Sequence, residues 1–335
     1  MIAAPEQIST GNVLDYLATR GISLPRSTRI SELSGGVSGR CLLIEAGVRR
    51  MVVKQALAEL AVAGRWAAKT ERALTEAAAL RAVHRLTPSV TPEVLDVDSD
   101  HCTFTMTAAP ANFRSWKEQL LSGAAPSKQT RATAAALGGT LGYWHRATWG
   151  DRAIASRFSD YEAFEQLRIA PFHRRIEAVH PDLSPAVQAC VEDLQTRRDC
   201  LVHGDFSPKN VLVGVGDPWV VDFEVAHVGA ADFDIAFLLC HLLLKAIHQP
   251  EQASVYTAAA EAFAAAYRSA NPLYLPTALL GWHVASLVLA RLDGMSTVAY
   301  LSDDERDRAR RLSTRWLTTQ NLNVTDMWTA TVKAA

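Results

Sequence analysis

The hydrophobic period changes near residue 112, and with it the kind of structure the chain can build. Between about residues 27 and 107 the apolar residues follow strand patterns punctuated by glycine. "TRISELSGGVSGRCLLIEAGVRRMVVKQA" reads as strand, glycine turn, strand, a tight turn at Gly47 and a third strand. "VTPEVLDVDSD" and "HCTFTMTA" read as two short strands with a turn between them. A helix pattern, "KTERALTEAAALRAVHRL", separates the two sets and stops before Pro88, since a residue preceding proline disfavours helical geometry. Upstream, "STGNVLDYLATRG" reads as a helix capped by Thr10 and closed at Gly21.

Beyond residue 112 the texture is helical, in "SKQTRATAAALGGTLGYWHRAT", residues 182–199, "FDIAFLLCHLLLKAIH" and "YLPTALLGWHVASLVLARLDG". Residues 201–227 are the one β-like interruption. The expected organisation is a β-rich N-terminal lobe with an antiparallel sheet (1–107), a short proline-containing hinge (108–112) and a larger, mainly helical C-terminal lobe (113–335). That is an α+β fold, with the loops around His203–Glu224 expected near the face between its parts.

A net charge of −1 over 335 residues gives no electrostatic reason to expect a nucleic acid or a membrane surface as partner. No apolar run approaches the ~20 residues of a membrane span. The N-terminal "MIAAPEQISTGNVLDYL" lacks the basic and apolar regions of a secretion signal. Five scattered cysteines without a C-x-x-C pair read as reduced core residues, so a cytoplasmic protein without zinc site or disulfide framework is expected.

Chemistry concentrates in "LVHGDFSPKN", which has the form His-x-Asp-x-x-x-x-Asn, and in Asp222 at the end of the apolar strand that follows. A lone Asp on a turn is usually a local hydrogen-bond acceptor. The spacing fits phosphoryl transfer better: Asp205 to take the proton of an attacking hydroxyl, Asn210 and Asp222 to offer oxygen ligands to Mg²⁺. In the N-terminal part "SGGVSG" (Gly35, Gly36, Ser38, Gly39) is either a plain hairpin turn or a loop whose amides approach phosphate oxygens. Lys54 lies in an apolar strand, "MVVKQ", and a lysine turned towards phosphate there needs an anionic partner. Glu71 and Glu76 are available, and Glu76, on the Leu74/Leu80 part of its helix, is the better placed unless it is simply solvated.

"SGGVSG", "VVK", "LVHGDFSPKN", "VVDFE" and "GAADFDIAF", in that order over about residues 30–240, resemble the aminoglycoside phosphotransferase/choline kinase superfamily, which has the bilobal protein-kinase-like fold. The "HGD" form and the absence of D-F-G and A-P-E segments set it apart from protein kinases. The resemblance implies an ATP- and Mg²⁺-dependent kinase of small-molecule hydroxyls, with Asp205 as base and Asn210 and Asp222 as metal ligands. Lys54 would contact the nucleotide phosphates, oriented by Glu76, and the hinge around Met106–Pro110 would contact adenine. Glu224 completes an Asp-x-Glu pattern like that of the methylthioribose kinase branch, and reaches either the metal or a residue around it. His203 is expected to be structural. Asp234 is expected to cap a helix and brace the catalytic loop, with Asp232 as competitor. Lys209 either reaches the transferred phosphoryl group or is solvated.

For the acceptor, residues 148–175, expected to be irregular, offer Arg168 and Arg174, and "ARLDGMSTVAYL" offers Arg291 and Asp293; the bland alternatives are Arg–carboxylate pairs and a helix end at Gly294. A near-neutral chain with arginines there suits a methylthioribose-like sugar or an amino or aromatic alcohol better than a polycationic aminoglycoside. A non-catalytic nucleotide-binding scaffold is the reading from another class, and a monomer or homodimer the expected state.

Overall fold

A computed structural model describes residues 7–33, 39–57, 68–123 and 126–333. They form two compact units, Met1–Phe113 with Trp219–Val225, and Arg114–Pro218 with Ala226–Ala335. The first unit thus includes a segment that lies far along the sequence from the rest of it.

The first unit is built on a five-stranded antiparallel sheet of β1 (Arg29–Glu32), β2 (Gly39–Ala46), β3 (Arg49–Ala56), β4 (Val94–Asp98) and β5 (Thr103–Thr107), in the order β1-β2-β3-β5-β4. Helix α1 (Val13–Thr19) covers one face: Val13 and Leu17 pack with Leu42, Ile44, Met51 and Val53, alternate residues of β2 and β3. Because strand side chains alternate faces, Lys54 is delivered to the side opposite Val53. There α2 (Arg72–Leu86) buries Ala73, Ala77, Leu80 and Val83. Two residues, Gly47 and Val48, join β2 to β3, and Gly47 adopts φ 61°, which glycine does without penalty.

Thr10 does not cap α1. Asn12 occupies the cap position, and its Oδ1 accepts from the Ser9 amide at 2.7 Å. At the other end Gly21 has φ 76°, with its amide bonded to Ala18 O (3.0 Å) and that of Ile22 to Leu17 O (2.8 Å), the paired bonds of a Schellman ending.

The second unit is helical. It contains α3 (Trp116–Leu121), α4 (Ser127–Thr148), α5 (Arg152–Arg157), α6 (Glu162–Phe164), α7 (Arg175–Val179), α8 (Ser184–Thr196), α9 (Ala231–His248), α10 (Ala253–Ala270), α11 (Leu280–Asp293), α12 (Asp303–Leu317) and α13 (Val324–Lys333). Short strands intervene: Cys200–Val202 pairs with His227–Gly229, and Arg114–Ser115 with Val211–Val213. Helix α9 is buried on every side from Ala231 to Ile247 and is packed by α10, α11 and α12. The stretch 148–175, expected to be irregular, is mostly helical, with a π-helical segment at Glu165–Arg174 between α6 and α7. Pro171 lies inside that segment; it has no N–H for an ordinary helical bond, and a widened turn accommodates it. No helix among the described residues is long and apolar enough to cross a membrane.

Candidate active site

The first unit holds a buried charge cluster centred on Lys54. Its Nζ lies 2.7 Å from Glu76 Oε2 and 2.6 Å from Asp222 Oδ1. Burial works against the ammonium, but Asp222 and Glu76 outweigh it and hold the Lys54 pKa well above its ordinary value. Two ionised carboxylates around one cation would leave a net negative charge in a buried place, which favours a proton on one of them. Glu76, 1% exposed, is the more buried of the two, and burial pushes its carboxyl up to about 8 against the pull of Lys54. Asp222 has φ 74°, a left-handed conformation that costs an L-residue energy and is concentrated at functional sites.

Glu224, two residues on, is gripped by Arg72, whose Nε donates to Oε2 at 3.1 Å. The Arg72 guanidinium also donates to the carbonyls of Leu57 (2.7 Å) and Ala68 (3.1 Å), and the residue is 2% exposed. Sequence reasoning missed Arg72, although it lies one helical turn before Glu76 and therefore on the same face of α2.

Gly39 is the one residue of the glycine segment that falls within the described structure; Gly35, Gly36 and Ser38 lie outside it. A Cβ at Gly39 would stand 2.9 Å from Gln55 O, so the close approach of β2 and β3 requires glycine there. Met106 is buried in β5 opposite Val52, and the Ala108 amide just beyond bonds to Arg50 O at 3.1 Å.

The second unit holds the other set. Asn210 Nδ2 donates to Asp205 Oδ2 (2.8 Å) and to Asp205 O (3.0 Å), closing the loop on itself. Arg168 Nη2 and Lys209 Nζ reach the same Oδ2 at 3.1 and 3.0 Å. Asp205 and Arg168 are buried, whereas the Lys209 side chain is 45% exposed. The Asp205 amide donates to His203 Nδ1 at 3.1 Å, so that nitrogen is an acceptor and His203 acts within the loop.

Asp234 does not cap α9. The cap position is Ala230, which has no side-chain bond to offer, and Asp234 lies inside the first turn. Its carboxylate instead accepts the amides of His203 (2.6 Å) and Gly204 (2.8 Å) and contacts His145 Nε2 at 3.2 Å. Burial opposes its charge, but His145 and these amides prevail and hold its pKa below the usual carboxylate range. Asp232 is engaged elsewhere, with Arg197 and the Tyr274 hydroxyl.

The four acceptor candidates separate. Arg174 is exposed and faces Glu177. Asp293 is taken by Arg310 (2.8 Å) and His180 (2.8 Å). Arg168 joins Asp205, and Arg291 donates to Ser296 Oγ at 2.9 Å while its guanidinium lies 5.7 Å from the centre of the Phe172 ring.

Residues 29–273, most of the chain, match the model of the phosphotransferase enzyme family, and the protein belongs to that family. It is 27% identical over 252 residues to the methylthioribose kinase of Pectobacterium atrosepticum, covering 67% of this chain and 62% of that one. To the methylthioribose kinase of Exiguobacterium sibiricum it is 23% identical over 257 residues, covering 70% and 66%. The match therefore spans less than two thirds of either relative's length. Among solved structures, amicoumacin kinase hAmiN, in complex with AMP-PNP, Ca²⁺ and Ami, aligns with a TM-score of 0.59 at 15% identity over 93% of this chain and 96% of that one. That likeness is one of fold, the α+β fold of the kinase-like proteins.

Proposed function

We propose that the protein transfers the γ-phosphoryl group of ATP to a hydroxyl of a small molecule. The observation that carries this reading is the Asp205–Asn210 loop: a buried carboxylate and an amide locked together by a 2.8 Å bond, on a loop whose amides are held by Asp234. Asp205 accepts the hydroxyl proton as the acceptor oxygen bonds to the γ-phosphorus and the bond to the ADP oxygen breaks. Lys54, kept charged by Glu76 and Asp222, suits the nucleotide phosphates.

The donor chemistry fits a hard divalent cation such as Mg²⁺. Asn210 spends its Nδ2 on Asp205, which leaves the amide oxygen as its acceptor, and Asp222 brings a carboxylate. Each of these residues, in its own unit, offers the oxygen chemistry such an ion takes, and the ion when bound would neutralise phosphate charge. Glu224, two residues after Asp222, is clamped by Arg72 and would act around that carboxylate.

The methylthioribose kinase relatives support an acceptor of pentose size, with amino or aromatic alcohols as further candidates. Arginine beside Asp205 disfavours a polycationic aminoglycoside. The test is ADP release with ATP and Mg²⁺ over a panel of methylthioribose, other pentoses, choline, ethanolamine, homoserine, aromatic alcohols and aminoglycosides, alongside Asp205→Asn. The expected result is one strong acceptor, with turnover falling by roughly 10³-fold in the variant while ATP binding stays intact. Undiminished turnover in the variant would remove Asp205 as the base. Loss of ATP binding together with turnover would make it structural, and a panel without turnover while ATP still binds would favour a nucleotide-binding scaffold.

A further inference from the structure

Beyond its acidic first turn, helix α9 is apolar from Ile235 to Ile247 except where it carries His241 and Lys245, one turn apart on one face. Lys245 is 1% exposed and forms no ion pair among the described residues. Its ammonium donates to His241 O at 3.3 Å and lies 5.4 Å from the centre of the Tyr300 ring. A buried lysine without a carboxylate is a liability to the fold, and nothing in the packing of α9 calls for one.

The groups around it form a connected set that leads to Asp205. The His241 ring meets Phe237 edge-on at 5.1 Å, and Phe237 stacks on Phe172 at 6.1 Å. The Arg291 and Arg168 guanidiniums lie 5.7 and 5.6 Å from the centre of the Phe172 ring, and Arg168 Nη2 is 3.1 Å from Asp205 Oδ2. Two buried polar atoms here, Arg291 Nε and the Tyr300 hydroxyl, have no hydrogen-bond partner among the described residues. Lys245, His241 and Arg291 thus form a basic group that Phe237 and Phe172 connect to Arg168 and through it to the expected proton acceptor, and among the described residues only Arg168 of the set is matched by a carboxylate.

We infer that this cluster binds an anionic group, carboxylate or phosphate, on the acceptor molecule, so that the substrate class is a hydroxyl compound bearing negative charge. The inference rests on the kinase reading for the word acceptor, but the anion site itself does not. An anion would provide Lys245 with a counter-charge and Arg291 Nε with an acceptor, in a cluster that Phe172 and Arg168 connect to the carboxylate that takes the hydroxyl proton. The titratable groups facing Lys245 are Cys240 and His241 on its own helix, Lys117 on α3, Arg291 on α11 and Tyr300. Burial, with Lys117 and Arg291 nearby, brings Lys245 down to about 7, so near pH ~8 an arriving anion should draw a proton onto it.

The experiment is calorimetric titration of the full chain, with AMP-PNP and Mg²⁺ present and at constant ionic strength. The probes are ribonate and ribose 5-phosphate as the anionic arms, ribose and methylthioribose as the neutral ones. Wild type, Lys245→Met and Arg291→Met are compared, and ADP release is followed in parallel with ATP. The expected result is roughly tenfold or greater preference for an anionic probe. That preference should collapse in both variants, and wild-type binding should take up protons near pH ~8, read from two buffers of different ionisation enthalpy. The better arm identifies carboxylate or phosphate. Lys245→Met should also raise the unfolding midpoint, which excludes misfolding as the cause of lost binding.

Equal or tighter binding of the neutral probes, or a preference that survives both substitutions, would overturn the inference; ADP release with a neutral acceptor would then leave the kinase reading standing. Anion binding lost in the variants, without ADP release from any probe, would support the site and count against the kinase reading.

Discussion

The guanidinium of Arg168 stands 3.1 Å from Oδ2 of Asp205, and both side chains are nearly withdrawn from solvent. The same guanidinium donates Nε to Gly204 O at 2.8 Å, so one residue fixes both the backbone and the carboxylate of the loop. Arg168 enters from the π-helical segment, whose register is set by the accommodation of Pro171.

Replacing Arg168 with Met should therefore destabilise the fold by about 3 kcal/mol, the low end for breaking a buried pair, because Lys209 and Asn210 still reach the same oxygen. Arg168→Lys should recover only part of this, since an ammonium lacks the planar fork whose Nε and Nη2 reach Gly204 O and Asp205 from separate atoms. Urea denaturation measures both. A Met variant with an unchanged midpoint would show that these contacts contribute nothing net.

Glu76 supplies a pH prediction. Its folded carboxyl titrates at about 8 against an ordinary 4.5, so the folded state retains a proton that the unfolded chain gives up. Stability from this source is full below the ordinary value and is lost as pH rises through about 8. Glu76→Gln, which cannot ionise, should show a flatter stability profile between pH ~5 and ~8 than wild type. Parallel profiles from thermal melts would assign the proton elsewhere.

Much of this was legible in the chain, for physical reasons that differ by region. Period-two alternation in "MVVKQ" places Lys54 opposite Val53, and Glu76 is the acid on the buried face of α2. The loop from His203 to Asn210 could be read because its residue types are unusual at that spacing. Legibility failed where a side chain's partner is remote in sequence. Arg72 meets Glu224 across 152 positions, and Asp234 looks like a helix cap because Asp commonly is one, yet it serves amides thirty residues upstream. Proline normally signals an interruption, so the helical winding around Pro171 ran against the local rule. His241 and Lys245 did leave a signal: two basic residues one turn apart within the apolar run from Ile235 to Ile247.

Asp234 carries the loop through charge-assisted bonds from two amides and the His145 ring, all buried. Asp234→Asn keeps the shape but offers one acceptor oxygen in place of two, and should cost about 3 kcal/mol together with most of the turnover. Its depressed pKa means that the stability it lends is present above the ordinary Asp value and lost as pH falls through the lower one. Acid unfolding of wild type should therefore be steeper below pH ~4 than that of the variant. Identical acid limbs in the two proteins would exclude Asp234 as the titrating brace.

The last prediction concerns how that brace is positioned. His145 lies on α4, its Nδ1 is 2.8 Å from the Tyr267 hydroxyl on α10, and its Nε2 meets Asp234. The two helices approach closely because α4 carries Gly138 and Gly142 one turn apart. A Cβ at Gly142 would stand 2.7 Å from Tyr267 O, and one at Gly138 would collide with Phe263 O. Gly139, one residue along, faces open space within 4 Å. Gly138→Ala should destabilise by about 2–3 kcal/mol through overpacking and reduce turnover by displacing His145. Gly139→Ala should stabilise by roughly 1 kcal/mol, because alanine is the better helix former where nothing obstructs it. Chemical denaturation and ADP release on the pair separate the two effects. Equal responses at the two positions would mean that helix propensity, not the contact with α10, governs this part of the fold.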